Sequence, residues 1–104
     1  MQVVISRSKT TGKKYDATIN GKKTIHFGAR GYPDQTTIKN VAERTESKGR
    51  YIKRHKKHED WSDPMTAGFY AKNILWNKST IGASVADTNR RFSSLHITFK
   101  SLNT

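Results

Sequence analysis

Apolar and polar residues alternate over the first 28 positions, and a period of two predicts β-strands. Val3, Val4 and Ile5 are β-branched and open the first strand. Thr10-Thr11-Gly12-Lys13 reads as a turn. Tyr15, Ala17 and Ile19 then alternate with Asp16 and Thr18, which makes one face of a second strand apolar. Asn20-Gly21 follows. It is the strongest short hairpin signal, because both central residues of a type I′ turn need φ > 0. The return strand runs from Lys22 to Gly28, with Ile25 and Phe27 on one face. A three-stranded antiparallel meander is the simplest assembly of these segments.

From Gly28 to Thr36 both periodicities stop at Gly28, Gly31 and Pro33, so a loop is expected. Thr37 to Arg44 reads as a short helix. Ser47 can cap a second helix over Lys48 to Glu59. There Tyr51, Ile52, His55 and Glu59 share one side, and Arg50, Lys53, Arg54 and Lys57 form a stripe at i, i+3, i+4, i+7 on the other. Gly49 weakens the first turn by about 1 kcal/mol relative to Ala. Ser62-Asp63-Pro64 resembles a cap followed by Pro at the first helical position, ahead of a helix over Met65 to Asn77. Its apolar stripe is Phe69, Leu75 and Trp76, with Met65, Ala71 or Lys72 between. A third helix is expected over Ile81 to Phe92. Ser93 to Lys100 alternates Leu95, Ile97 and Phe99, as a last strand completing the sheet would. The expected fold is α+β: a small antiparallel sheet, made of an N-terminal meander and a C-terminal strand, packed against two or three helices.

Composition narrows the function. A chain of 104 residues suits one domain. Its hydrophobic fraction is only 33% and its mean hydropathy −0.84, so a small core under a polar surface is expected, with the aromatic residues supplying much of the buried area. The net charge is +12, from 20 Lys and Arg against 8 Asp and Glu. Such an excess opposes compaction by self-repulsion. A polyanionic partner gives it a use, since phosphates that meet cations release counterions whatever the base sequence. An acidic protein surface or an anionic membrane would be served by the same charge. The absence of Cys excludes disulfides and Cys-containing zinc sites. No apolar run approaches the ~18 residues of a transmembrane helix. Met1 to Ile5 is too short for the apolar region of a signal peptide. The reading is a protein that is not secreted and works in cytosol, nucleus or a particle.

Lys48 to Lys57 is the sharpest feature, with Lys or Arg at six of ten positions. Like charges on successive turns repel unless a partner neutralises them. Arg50, Lys53, Arg54 and Lys57 are therefore the main candidate phosphate contacts, which position a backbone without reading bases. Lys13, Lys14, Lys22, Lys23 and Arg30 form a second candidate patch on the hairpin. Lys near strand ends also blocks edge pairing, which is the plainer use. Tyr32, beside Arg30, and Tyr51 could stack on unpaired bases if exposed, or be packing residues. Trp61, Phe69, Tyr70 and Trp76 read as core. His55 and His58 lack the convergent third and fourth ligands that zinc needs, and His26 and His96 have no predictable proximity to them. A metal-dependent nuclease would draw on His58, Glu59, Asp60 and Asp63, but capping and ion pairing explain these acids as well. No metal, cofactor or catalytic residue is assigned, and the chain is expected not to be an enzyme.

From Lys14 to Phe92 the chain also resembles a family of small basic proteins encoded by large DNA viruses and some phages. The residues that carry the likeness are Lys14-Tyr15-Asp16, Ile25-His26-Phe27-Gly28-Ala29 and Gly31-Tyr32-Pro33-Asp34-Gln35-Thr36. They continue with Tyr51-Ile52-Lys53-Arg54-His55, Glu59-Asp60-Trp61, Asp63-Pro64-Met65-Thr66-Ala67-Gly68-Phe69 and Leu75-Trp76-Asn77-Lys78. That family offers no catalytic residues to carry over. The resemblance implies a viral origin, and hence a virion or an infected cell. The expected function is nonenzymatic, largely sequence-independent binding of DNA or RNA. The alternative is a minor capsid or cement protein that meets acidic viral protein surfaces with the same charge. Oligomeric state is not specified by any of these features.

Overall fold

The alternating segments at both ends of the chain meet in one sheet in the computed structural model, which describes residues 1–100. Strands β1 (Gln2–Arg7), β2 (Lys13–Ile19), β3 (Lys23–Ala29) and β4 (His96–Phe99) are ordered β3-β2-β1-β4. The meander is as expected. β1 pairs antiparallel with β2, Val3 opposite Ile19, and β2 pairs antiparallel with β3, Ala17 opposite Ile25. Asn20 and Gly21 have φ of 53° and 68°, the left-handed values a type I′ turn demands. The Asn20 side chain also accepts a hydrogen bond from the Gln2 N–H at 2.9 Å, fastening the turn to β1. One face of the sheet buries Val3, Ile5, Ala17, Ile19, Ile25, Phe27 and Ile97.

The sheet is mixed, not purely antiparallel, because β4 runs parallel to β1, with Ile97 opposite Val3. The preceding helix delivers the chain back along the sheet, and a helical crossover of this kind joins parallel neighbours.

The helices depart further from expectation. Thr37–Arg44 and Lys48–Glu59 do not form two helices; Val41–His55 is one helix, α1. Its cap is Asn40, whose side chain accepts from the Glu43 N–H at 3.0 Å. Ser47 is therefore buried inside the helix, and Gly49 sits in its middle. Helix α1 ends at His55, so Lys57 lies in the turn beyond it. The expected helix over Met65–Asn77 starts later and is not regular. α2 (Ala67–Tyr70), capped by Thr66, opens directly into a wide π-turn over Ala71–Leu75 that is closed by a Trp76 N–H to Ala71 C=O bond of 3.1 Å. Asn73 supplies a physical cause. Its side chain donates to the Phe69 carbonyl at 2.9 Å and competes with the backbone for a group that the α-helical ladder uses. α3 (Ile81–Arg91) is capped by Thr80 and stops at Phe92.

The π-turn and α3 cover the buried face of the sheet. Tyr70 packs on Phe27 with ring centroids 5.6 Å apart, and Phe69 meets Tyr70 and Phe92 edge to face. Asn73, buried at the centre, also accepts from the Arg91 guanidinium at 2.7 Å. Helix α1 is attached differently. Its backbone makes no extensive approach to another element among the described residues. It is held chiefly through Tyr51, whose ring stacks on Trp76 at 4.8 Å and 12°. No helix among the described residues is long and apolar enough to cross a membrane.

Candidate nucleic-acid interface

Because α1 stands off the sheet, one of its faces borders a cleft of about 440 Å³ instead of packing closed. Ser47, Arg50, Tyr51, Arg54 and His55 recur at i, i+3, i+4, i+7, i+8 and form this wall. The π-turn presents Ala71, Leu75 and Trp76 as an apolar floor, and the loop after β3 supplies Tyr32, Pro33 and Asp34 as the facing wall.

The α1 wall is stiffened by aromatic stacking. Tyr51 lies between His55, at 4.3 Å, and Trp76. Glu59 closes the far end: its carboxylate meets His55 Nδ1 at 3.1 Å and accepts from Trp61 Nε1 at 2.8 Å. Burial, reinforced by the charge of Glu59, holds the Tyr51 phenol far above its ordinary pKa. The Tyr51 hydroxyl is buried with no hydrogen-bond partner among the described residues.

The facing wall is built on Asp34, which is 2% exposed. Its Oδ1 accepts from the Thr36 N–H at 2.7 Å, a turn that the short Asp side chain favours. Its Oδ2 takes Lys14 Nζ, which also donates to the Tyr32 carbonyl. Next to it Gln35 ties the loop to both other walls, through its N–H to Leu75 C=O at 3.0 Å and its side-chain amide to Arg44 C=O. The loop is thus fixed at β2, the π-turn and α1, and Tyr32 is left 71% exposed at the mouth.

Among the residues expected to meet a polyanion, Arg50, Lys53, Arg54 and Lys57 are all exposed. Arg50 lies 3.9 Å from Glu46, a distance at which an exposed pair contributes little. Among the described residues, Lys53, Arg54, Lys56 and Lys57 have no carboxylate within ion-pair distance. The hairpin patch needs two corrections. First, Lys13 and Lys14 start β2, whereas Lys22 and Lys23 follow its far end. Seven residues at about 3.4 Å each put the two pairs roughly 20 Å apart, so they are not one tip. Second, Lys14 is neutralised by Asp34 and mostly buried, so it is a structural cation and not a free contact. Arg30 and Arg7 border a second hollow with Lys14 and Tyr15, which adjoins the cleft through Lys14. Of this patch, Lys14 lines the cleft with Arg50 and Arg54 and Arg30 lines the adjoining hollow, whereas Lys13 lines neither, and Lys22 and Lys23 belong to the far end of the strand.

Tyr51 is core, 4% exposed, and not a stacking platform; Phe69, Tyr70 and Trp76 are buried and Trp61 half-buried. The acids considered for metal chemistry face local partners. Asp60 accepts from Ser62, and Asp63 accepts from the Met65 N–H at 3.0 Å. Among the described residues no three His, Asp or Glu side chains are placed to share a metal. Sequence reasoning gave Asp34 and Gln35 no structural role, because a buried acid in a Pro-containing loop has no local signature, and it took Ser47, which is buried inside α1, for a cap. The Asp-x-Thr spacing of the Asp34 turn is the one cue it left.

A protein-family model described as "Family of unknown function (DUF5754)" matches residues 3–55. The match spans β1 to β3, the Asp34 loop and α1, and so takes in both facing walls of the cleft. No curated protein matches, and no solved structure does.

Proposed function

The chain belongs to the family of unknown function DUF5754, and from its surface we propose that it binds nucleic acid without catalysing a reaction, through phosphate contacts that read little base sequence. The observation that carries this reading is the gathering of exposed cations that, among the described residues, have no close carboxylate partner. Arg50 and Arg54 reach the cleft from α1, and Arg30 lines the hollow that adjoins it at Lys14. Lys53, Lys56 and Lys57 continue the positive surface beyond the cleft. Along α1 and the turn that follows it these like charges repel one another, and a line of phosphates would reverse the sign of that energy. The setting proposed is a virion or an infected cell, which rests on the viral resemblance.

Each phosphate neutralised on duplex DNA contributes about 0.9 to the slope of log affinity against log salt. Four contacts, from Arg50, Lys53, Arg54 and Lys57, give a slope of about −3.6, or a loss of roughly 150-fold between about 50 and about 200 mM salt. Fluorescence anisotropy with labelled oligonucleotides should show this loss, and changing all four residues to Gln should flatten it. An affinity independent of salt, or a quadruple variant indistinguishable from the parent, would overturn the phosphate reading. Stoichiometric retention on DNA-free viral shells, without binding to oligonucleotides, would instead establish the capsid role.

A further inference from the structure

We propose that the cleft between α1 and the Asp34 loop receives one unpaired nucleotide, so that the protein holds single strands in preference to duplex. The inference rests on the nucleic-acid reading and names the form of nucleic acid that the site takes. A volume of about 440 Å³ falls in the range of small-ligand pockets. In a duplex the bases are paired and stacked inward, so only an unpaired or extruded base can enter such a space.

The chemistry of the walls matches a base and its phosphate. Leu75, Trp76 and Ala71 offer an apolar floor. Tyr32 stands exposed at the mouth, on a loop that Lys14 and Gln35 hold in place, as a ring on which a base of any identity can stack. Arg50 and Arg54 bring guanidinium groups whose planar fork suits phosphate. The two acids of the cleft do not oppose an anion freely: Asp34 is bound by Lys14 and Thr36, and Glu59 by His55 and Trp61. Tyr51, on the same wall, keeps a buried hydroxyl without a hydrogen-bond partner among the described residues.

The test uses the full chain and thymidine monophosphate, thymidine, inorganic phosphate, an oligothymidine strand and a hairpin duplex. Thymidine monophosphate should perturb amide and indole NMR signals at Arg50, Arg54, Tyr32 and Trp76 more than thymidine or phosphate alone. Oligothymidine should bind more tightly than the duplex at equal salt. Tyr32→Ala should weaken single-strand binding by roughly five- to 150-fold, the range of one base stack. Ala67→Trp, which places a bulky ring at the cleft wall, should reduce the single-strand to duplex ratio without removing any charge. Equal affinity for both forms, together with a neutral Tyr32→Ala, overturns the cleft proposal; salt-dependent duplex binding would then leave the phosphate reading standing. Absence of binding to every oligonucleotide overturns both.

Discussion

Gly28 offers the sharpest test of how the cleft is built. It ends the regular part of β3 with φ +79°, and a Cβ placed there would lie 2.7 Å from Leu75 Cδ1 and 3.1 Å from Lys14 Cβ. Gly28→Ala therefore carries two costs. An L-residue in the left-handed region costs about 1–2 kcal/mol. Leu75 is 2% exposed and cannot swing aside freely, so the overpacking adds about 1–3 kcal/mol. The total is about 2–5 kcal/mol. Gly12 separates the two, because it has φ +82° with open space where its Cβ would stand. Gly12→Ala should cost only the strain, about 1–2 kcal/mol. Denaturant unfolding followed by tryptophan fluorescence would measure both, with an unchanged m-value showing that stability alone has moved. Combining Gly28→Ala with Leu75→Ala should cost less than the sum of the single changes, since the second removes the atom that clashes. Equal losses for Gly12→Ala and Gly28→Ala, or strict additivity with Leu75→Ala, would refute the close approach of β3 to the π-turn.

Two further outcomes follow from the surroundings of Gly49 and Asp87. Gly49 lies inside α1, and a Cβ there meets nothing within 4 Å. Gly49→Ala should raise stability by about 0.4–1 kcal/mol in the same assay. Asp87 accepts from Asn77 at 2.8 Å and from Arg91 and Arg90, and these contacts hold its carboxyl well below the usual carboxylate range. A depressed folded-state pKa gives stability that is present above the unfolded value of about 3.9 and lost as pH falls through the folded value. Urea melts from about pH 6 down to about pH 2 should therefore show parent and Asp87→Asn converging as the pH falls, and a constant gap would exclude this role.

Much of the fold was legible in the sequence because strand alternation is a local signal. Val3 and Ile5, Ala17 and Ile19, Ile25 and Phe27 face inward together, as their spacing requires. The direction of β4 was not legible, since no residue of His96–Phe99 encodes which neighbour it joins. Helix α1 was misjudged at its start for a physical reason. Its first two turns are largely exposed, Val41 by 67%, so no apolar stripe marks them, and Ser47 offered a plausible cap where the true one is Asn40. The cationic stripe was legible only in part: Arg50 and Arg54 share the cleft wall with Tyr51 and His55 instead of lying opposite them, and Lys57 falls beyond the end of the helix. The cleft was not, because its second wall depends on a buried Lys14–Asp34 pair joining residues 20 positions apart.

The structure also separates what the charges of this chain do. Matched cations sit where the fold needs them: Arg91 and Arg90 on Asp87 beside the core, and Lys14 on Asp34 to set the loop that carries Tyr32. Among the described residues, cations without a carboxylate partner lie on the hairpin as well as on α1, where Arg44, Lys48, Lys53 and Arg54 load the element least tied to the rest of the molecule. Local opening is cheapest in such an element, and a ligand that neutralises it gains the most by ordering it. The same thin attachment that leaves room for the cleft thus makes α1 the segment whose protection from hydrogen exchange a bound strand should raise first.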